Sequence, residues 1–314
     1  MIRSGVSSLQ RAAIALVRWF DSAAGEVPAE SEEHRVDWLR VVPLVALHLA
    51  CVAVVVVGWS PLAVLVAVAL YLVRMFAITG FYHRYFSHRT FRTSRFFQFA
   101  FALLGASSVQ RGPLWWAAHH RLHHARSDQP ADVHSPRQHG FAWSHIGWLT
   151  SESNFRTRAE MVPDLARYPE LRFLDRFDTL VPVALAALLF GLGEHLAVAA
   201  PALGTNGPQL LVWGFFISTV VLLHATLTVN SLAHVIGRRR YETRDDSRNS
   251  LLIALLTLGE GWHNNHHYYP GSTRQGFRWW EIDATWIALV VLSWFGIVSD
   301  LTPVPDHVRL AGAT

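Results

Sequence analysis

Lysine is absent from this 314-residue chain, so every basic charge is carried by arginine. Cysteine is nearly absent too. Its single copy, Cys51, lies inside an apolar run, which excludes a disulfide framework, a thiolate zinc site and an intrinsic iron–sulfur cluster. Charged residues make up only 16% of the chain against 51% hydrophobic ones, and the mean hydropathy is +0.23, which is too apolar for an ordinary soluble domain. No G-x-G-x-x-G fingerprint for a nucleotide occurs, so any redox partner is expected to be a separate protein. A net charge of +4 and a pI of 9.6 fit a membrane protein near anionic headgroups better than a nucleic-acid binder. Residues 1–34 are mixed and polar, and the run Ile14 to Phe20 is too short to cross a bilayer, so no N-terminal signal peptide is expected.

Long apolar runs are what the chain has in place of charge. Four stretches, 41–59, 62–79, 180–203 and 208–230, approach the length of about 20 apolar residues that crosses a bilayer. Ser60-Pro61 separates the first pair and Gly204 to Pro208 the second, so the spans read as two hairpins. Neither turn carries a cation. Arg35, Arg40, Arg74, Arg84 and Arg238 to Arg240 all lie at the opposite ends, which predicts cytoplasmic termini. The expected fold is an all-α integral membrane protein, with four transmembrane helices in two hairpins and a cytoplasmic helical cap. Its divisions are a cytoplasmic N-terminal segment (1–40), hairpin 1 (41–79), a first part of the cap (80–179), hairpin 2 (180–230), and a second part of the cap with the C-terminal tail (231–314). Residues 96–106 and 284–298 are apolar but short, and are expected to be interfacial or buried.

Histidine is plentiful. Nine of the 18 form three clusters and an outlier: His83 and His88; His120, His123 and His124; His234; and His263, His266 and His267. That exceeds the needs of one metal ion and points to a dinuclear centre. Each hairpin ends by delivering ligands, through Thr79 to His83 and through Asn230 to His234. The triplets place histidines at i, i+3 and i+4, one face of a helix, which can serve one ion or two neighbouring ions. The interval from His83 to His88 is five, about 140° of helical rotation, so the two reach different ions or the helix ends between them. Imidazole suits zinc, copper, iron and nickel, whereas calcium or magnesium would want oxygen ligands. Redox chemistry at a membrane surface favours iron. Zinc transport is the competing reading, although a carrier would place its ligands within the spans.

The ordered boxes HxxxxH, HxxHH and HxxHH, with Asn230-Ser231-x-x-His234 before the last and Gly259-Glu260-Gly261-Trp262 leading into it, resemble the membrane-bound fatty acyl desaturases of the Δ9, stearoyl-CoA desaturase-like type. The similarity runs from about Thr79 to Trp280, and the wording around the third box is most like bacterial and cyanobacterial members. The resemblance implies that His83, His88, His120, His123, His124, His234, His263, His266 and His267 bind two iron ions, with Asn230 acting through water and no catalytic residue beyond the metal ligands. It also implies O2 as co-substrate and a cis double bond, Δ9 by expectation, in an acyl chain on CoA or a membrane lipid. Electrons would come from a separate ferredoxin or b-type cytochrome with its reductase, since no haem-binding domain is apparent at either end. A multi-pass protein of a bacterial inner membrane, with its active site cytoplasmic and no nucleic-acid partner, is expected.

An acyl chain has no polar handle near its middle, so regiochemistry requires a shaped apolar tunnel and a fixed headgroup site. Trp115, Trp116 and Trp262 are the candidate walls, Trp116 first. In the animal acyl-CoA branch an Arg-Asp pair precedes the second box, where this chain has Ala118-His119, which leaves the headgroup open. His119 is expected beside the ligands or at the surface, and His48 and His224 in structural roles. Asp128 and Asp132 read equally as partners of metal-bound imidazoles and as turn residues, and Glu260 as a partner through its position three residues before His263. The run Arg84, Arg89, Arg92, Arg95 fits lipid phosphates or an acidic electron donor. The alternatives to desaturation are a membrane di-iron hydroxylase or alkane oxygenase, a metal carrier, and a sensor or scaffold with a degenerate site.

Overall fold

The structure, a computed structural model, describes residues 8–24 and 35–311. The expected N-terminal segment and C-terminal tail therefore lie partly outside the described residues. Helix α1 (Ser8–Val17) is followed by four helices long and apolar enough to cross a membrane: α2 (Trp38–Val57), α3 (Pro61–Ser87), and, beyond the intervening cap, Leu180–Ala199 and Gly207–His234. Among the shorter helices of the cap between them are α4 (Arg95–Ala106) and α5 (Pro113–Arg126). In chain order the third and fourth spans are then α6 and α7, followed by the short α8 (His263–Tyr268) and the apolar α9 (Ala284–Trp294). Strand β1 (Arg92–Thr93) pairs antiparallel with β2 (Val298–Ser299), tying the start of the cap to its end.

Both hairpin turns use the residues read from the sequence. Gly58 takes φ +66°, the Ser60 hydroxyl accepts from the Ala63 amide, and Pro61 opens α3. In the second turn Asn206 caps the amide of Gln209. Two of the four spans are longer than the bilayer requires. Helices α3 and α7 contain 27 and 28 residues, about 40 Å at 1.5 Å per residue against about 30 Å of hydrocarbon. That surplus is enough for the helix ends bearing His83 and His234 to stand clear of the hydrocarbon. The spans foreseen as ending at 79 and 230 thus run on through the first histidines.

The end of α3 is wound as a π-helix from Ala77 to Ser87, and the His88 amide bonds the His83 carbonyl five residues back. An interval of five, which separates side chains on an α-helix, becomes nearly one turn here. His83 and His88 consequently face the same way.

Inside the span bundle Arg74 is fully buried, with no carboxylate partner among the described residues. Its guanidinium donates to the hydroxyls of Ser218 (2.6 Å) and Thr219 (2.7 Å) and to the Ser107 carbonyl (3.2 Å), linking α3, α7 and the loop after α4. His48 and His224 bond each other at 3.0 Å, and His224 bonds His145 of the cap at 3.0 Å, in the structural role expected of the first two. The cap core packs α4 on the end of α3, where Phe81 and Phe101 stack with centroids 3.6 Å apart. Gly105 sits against Tyr82, and a Cβ there would lie 2.0 Å from the ring. Because Tyr82 is fully buried and precedes His83, Gly105→Ala is expected to cost about 1–3 kcal/mol by overpacking, read as a lowered thermal midpoint of the purified protein.

Candidate metal centre

Helix α5 begins at Gly112-Pro113, where a buried carboxylate, Asp175, accepts the amides of Leu114 (3.0 Å) and Trp115 (2.8 Å). Burial raises the pKa of Asp175. Helix α8 is seated differently. The Asn249 side-chain oxygen accepts the amides of Asn264 (3.0 Å) and Asn265 (3.2 Å), and the Asn264 oxygen in turn accepts the amides of Arg240 and Tyr241, each at 2.8 Å. The two asparagines inside the third box are therefore anchors that aim its histidines. Gly261 belongs to the same joint, since a Cβ there would lie 2.0 Å from the Ala254 amide nitrogen.

These elements bring all nine histidines into two groups. His83, His88, His120, His124 and His266 form one, and His123, His234, His263 and His267 the other; within each group the ligand atoms lie within 4.8 Å of one another. Each triplet straddles both groups. Its i and i+4 members go to one and its i+3 member to the other.

The spacing fits metal coordination. Nε2 atoms are 3.0 Å apart for His83 and His266, 2.8 Å for His88 and His120, 2.9 Å for His124 and His266, and 3.0 Å for His234 and His263. Two imidazole nitrogens each about 2.1 Å from a common ion and at right angles stand about 3.0 Å apart. His266 Nε2 faces both His83 and His124, more than a single N–H can satisfy. His267 Nε2 is buried and has no hydrogen-bond partner. Convergent lone pairs of this kind call for a cation.

Electrostatics keep the donors in their binding form. Burial pushes His88, His120, His124, His266 and His263 well below the usual imidazole range, with neighbouring histidines adding to the effect. Burial also takes His267 down to about 4, against the opposing pull of Asp245. For His123, burial is outweighed by Asp132, which raises it.

Carboxylates hold the outer nitrogens of four rings. Nδ1 of His123 donates to Asp132 (3.0 Å), that of His234 to Asp128 (2.9 Å) and that of His267 to Asp245 (2.9 Å), while His83 Nδ1 meets Glu260. Burial alone would raise Asp128, Asp132 and Asp245, but their histidines and further hydrogen bonds hold all three well below the carboxylate range. Both readings of Asp128 and Asp132 are realised, because the same carboxylates also take turn contacts, from the Ser135 hydroxyl (2.5 Å) and the Asp128 amide (2.9 Å). His134 lies 3.5 Å from Asp132, and its nearness to His123 comes from that shared carboxylate.

Several expectations need correction. Glu260 serves His83, not the nearby His263. Arg84 is not a surface cation: it is buried between Glu260 (3.2 Å) and Asp283 (3.0 Å) and locks the first box to the third. Arg89, Arg92 and Arg95, by contrast, are exposed as that reading requires, in surface pairs with Asp164, Asp300 and Glu170. Trp262 turns away, its indole N–H donating to the Ile282 carbonyl (2.8 Å). Of the two positions expected for His119 the structure has the first: it is buried, bonds the Trp115 carbonyl (2.9 Å) and lines a cavity together with the ligand His120.

That cavity, of about 490 Å³, is walled by α2, α6, α7 and the cap. Its lining includes His120, Asn230 and Trp116, the charged Arg40, Arg111 and Asp178, and apolar side chains such as Leu44, Pro182 and Phe216. Trp115 and Trp116 both line it, and Trp116 stacks on His120 with centroids 5.1 Å apart. A small pocket of about 40 Å³ lies between the two groups, bordered by His83, His120, His123, His263, Trp116 and Asn230. It has room for a water or a diatomic molecule.

Comparison with known proteins accords with this geometry. The family profile described as Fatty acid desaturase matches residues 37–291. A protein named sn-1 stearoyl-lipid 9-desaturase from Anabaena variabilis is 35% identical over 276 residues, covering 87% of this chain and 96% of its own. An sn-2 palmitoyl-lipid 9-desaturase from Nostoc sp. (strain 36) is 35% identical over 289 residues, covering 89% and 95%. An acyl-CoA 5-desaturase from Anemone leveillei is 35% identical over 300 residues, covering 91% and 88%.

Proposed function

The chain belongs to the fatty acid desaturase family, and from that premise we propose that it introduces a cis double bond, at Δ9, into a saturated acyl chain carried on CoA or a membrane lipid. It is a fatty acyl desaturase, an oxidoreductase; the oxygenase and metal-carrier alternatives are not favoured. The observation that carries the finer reading is the five-plus-four division of histidines, one of which, His120, lines a mostly apolar cavity of about 490 Å³.

In this reading the nine histidines hold two iron ions, and Asn230, which borders the small pocket between the groups, acts through water. When bound, the irons supply the activation of dioxygen without which unactivated methylene C–H bonds would not yield. The chain's own residues do the rest. Asp128, Asp132, Asp245 and Glu260 keep protons on the outer nitrogens, so that the inner ones remain donors. Trp116 presses on His120 and borders both cavities, which excludes water and sets where the acyl chain bends past the metals. The distance between the arginines that line the cavity, Arg40 and Arg111, and Asn230 then selects which carbons react.

The cationic span ends and uncharged turns support a multi-pass protein of a bacterial inner membrane, with termini and cap cytoplasmic and the five divisions given above. Electrons arrive from a separate ferredoxin or b-type cytochrome with its reductase. The test is fatty acid profiling by gas chromatography–mass spectrometry after expression in a host lacking its own desaturase. A new cis-Δ9 monoene is expected. A hydroxylated chain with no new double bond would refute the reading.

A further inference from the structure

A second cavity, of about 630 Å³, opens beside the first. Arg18, Arg40 and Phe155 line both, so the two meet at these side chains. The second chamber adds Arg156, Arg172 and Arg176, the last of which is paired with Asp21 at 2.7 Å. Of its two carboxylates, Asp175 is committed to the start of α5 and Glu152 lies near Arg35 (3.8 Å). In the first cavity the one carboxylate, Asp178, is bridged by Arg111 at 3.1 Å.

Arg40 is the unusual member. It lies in the first turn of α2, is 8% exposed, and packs its guanidinium 4.3 Å from the Phe155 ring centroid. Its Nε and Nη2 atoms are buried and have no hydrogen-bond partner among the described residues. A buried cation with unmet donors is costly, and such a group persists where a ligand supplies the acceptors. Nε and Nη2 form one edge of the guanidinium, two parallel N–H groups that match two oxygens of a phosphate.

We propose that Arg40 anchors a phosphate ester of the acyl carrier where the two cavities meet, so that this chain takes a phosphate-bearing carrier in preference to an uncharged one. The inference rests on the desaturase reading and deepens it. The acyl chain then runs from Arg40 between the walls of α2 and α6 toward His120 and Asn230, while the headgroup occupies the arginine-lined chamber. A cytoplasmic acyl-CoA and a membrane phospholipid both carry the required phosphate.

The test uses the full-length, iron-loaded enzyme with stearoyl chains on phosphatidylglycerol, on CoA and on uncharged monogalactosyldiacylglycerol. Faster turnover on at least one phosphate-bearing carrier than on the galactolipid is expected, and the preferred carrier identifies the source of the phosphate. Arg40→Gln is expected to raise KM for that carrier about tenfold or more with kcat changed less than about twofold, and Arg40→Lys to recover part of the loss. Equal turnover on the uncharged lipid would overturn the proposal, as would equal effects of Arg40→Gln on every carrier. Binding of distearoyl phosphatidylglycerol to wild type and Arg40→Gln, followed by native mass spectrometry, needs no turnover. Weaker binding by the variant supports Arg40 even if the proposed reaction fails, and unchanged binding refutes it even if the reaction stands.

Discussion

His234→Ala is expected to lower desaturation about 100-fold or more and to leave the purified chain short of one metal ion. His234 belongs to the group with four imidazoles, so its removal leaves three, whereas loss of a member of the other group leaves four. The substitution also strands Asp128, a buried carboxylate whose low pKa depends on the His234 ring, with only the Ser135 hydroxyl and the Asp246 amide as partners. Because the lost ring both binds and neutralises, the fault should appear in metal content and in turnover together. Double-bond formation measured by gas chromatography–mass spectrometry, beside metal analysis of the same preparation, checks this. Full activity with a full metal complement would show that His234 is dispensable.

Glu260→Gln is expected to reduce turnover by about 10- to 100-fold while the protein still folds. Glu260 accepts from Arg84 on Oε1 (3.2 Å) and from His83 on Oε2, and Gln275 donates to that second oxygen at 3.2 Å. The amide keeps the shape but loses the charge that fixes the imidazole tautomer. Arg84 retains Asp283 at 3.0 Å and the Thr273 carbonyl at 2.9 Å, which is why the fold should survive. Iron retention against a chelator and kcat on the preferred carrier separate the outcomes. A kcat equal to wild type with faster iron loss would confine Glu260 to binding; no change in either would remove it from the site altogether.

Much of this architecture was written in local patterns. Apolar length and the residues of the two turns gave four spans in two hairpins, because crossing a bilayer imposes a length that composition reveals directly. The nine histidines were legible because metal binding demands rare residues in tight spacing. Their division was not. His83 and His88 share a group only because α3 changes to π winding before it ends, and interval arithmetic assumes a constant helix.

The outer partners were half visible. Asp128 and Asp132 follow the second box closely enough to be suspected, and Glu260 was found, though for the wrong histidine. Asp245 carries no such signal, since it reaches His267 from a loop whose position is set by tertiary packing. Trp262 was misplaced for a related reason: adjacency to His263 says nothing of ring direction once α8 starts between them. Arg84 stands in a run of exposed, ion-paired arginines, and only contact with Glu260 and Asp283 distinguishes it.

The most direct test of the central claim is the metal stoichiometry of the purified, active protein, measured by inductively coupled plasma mass spectrometry against quantified polypeptide. The five-plus-four arrangement predicts two metal ions per chain, which the proposed function takes to be iron, falling toward one in His234→Ala. A single iron per chain in fully active enzyme, or zinc in place of iron with turnover intact, would contradict it.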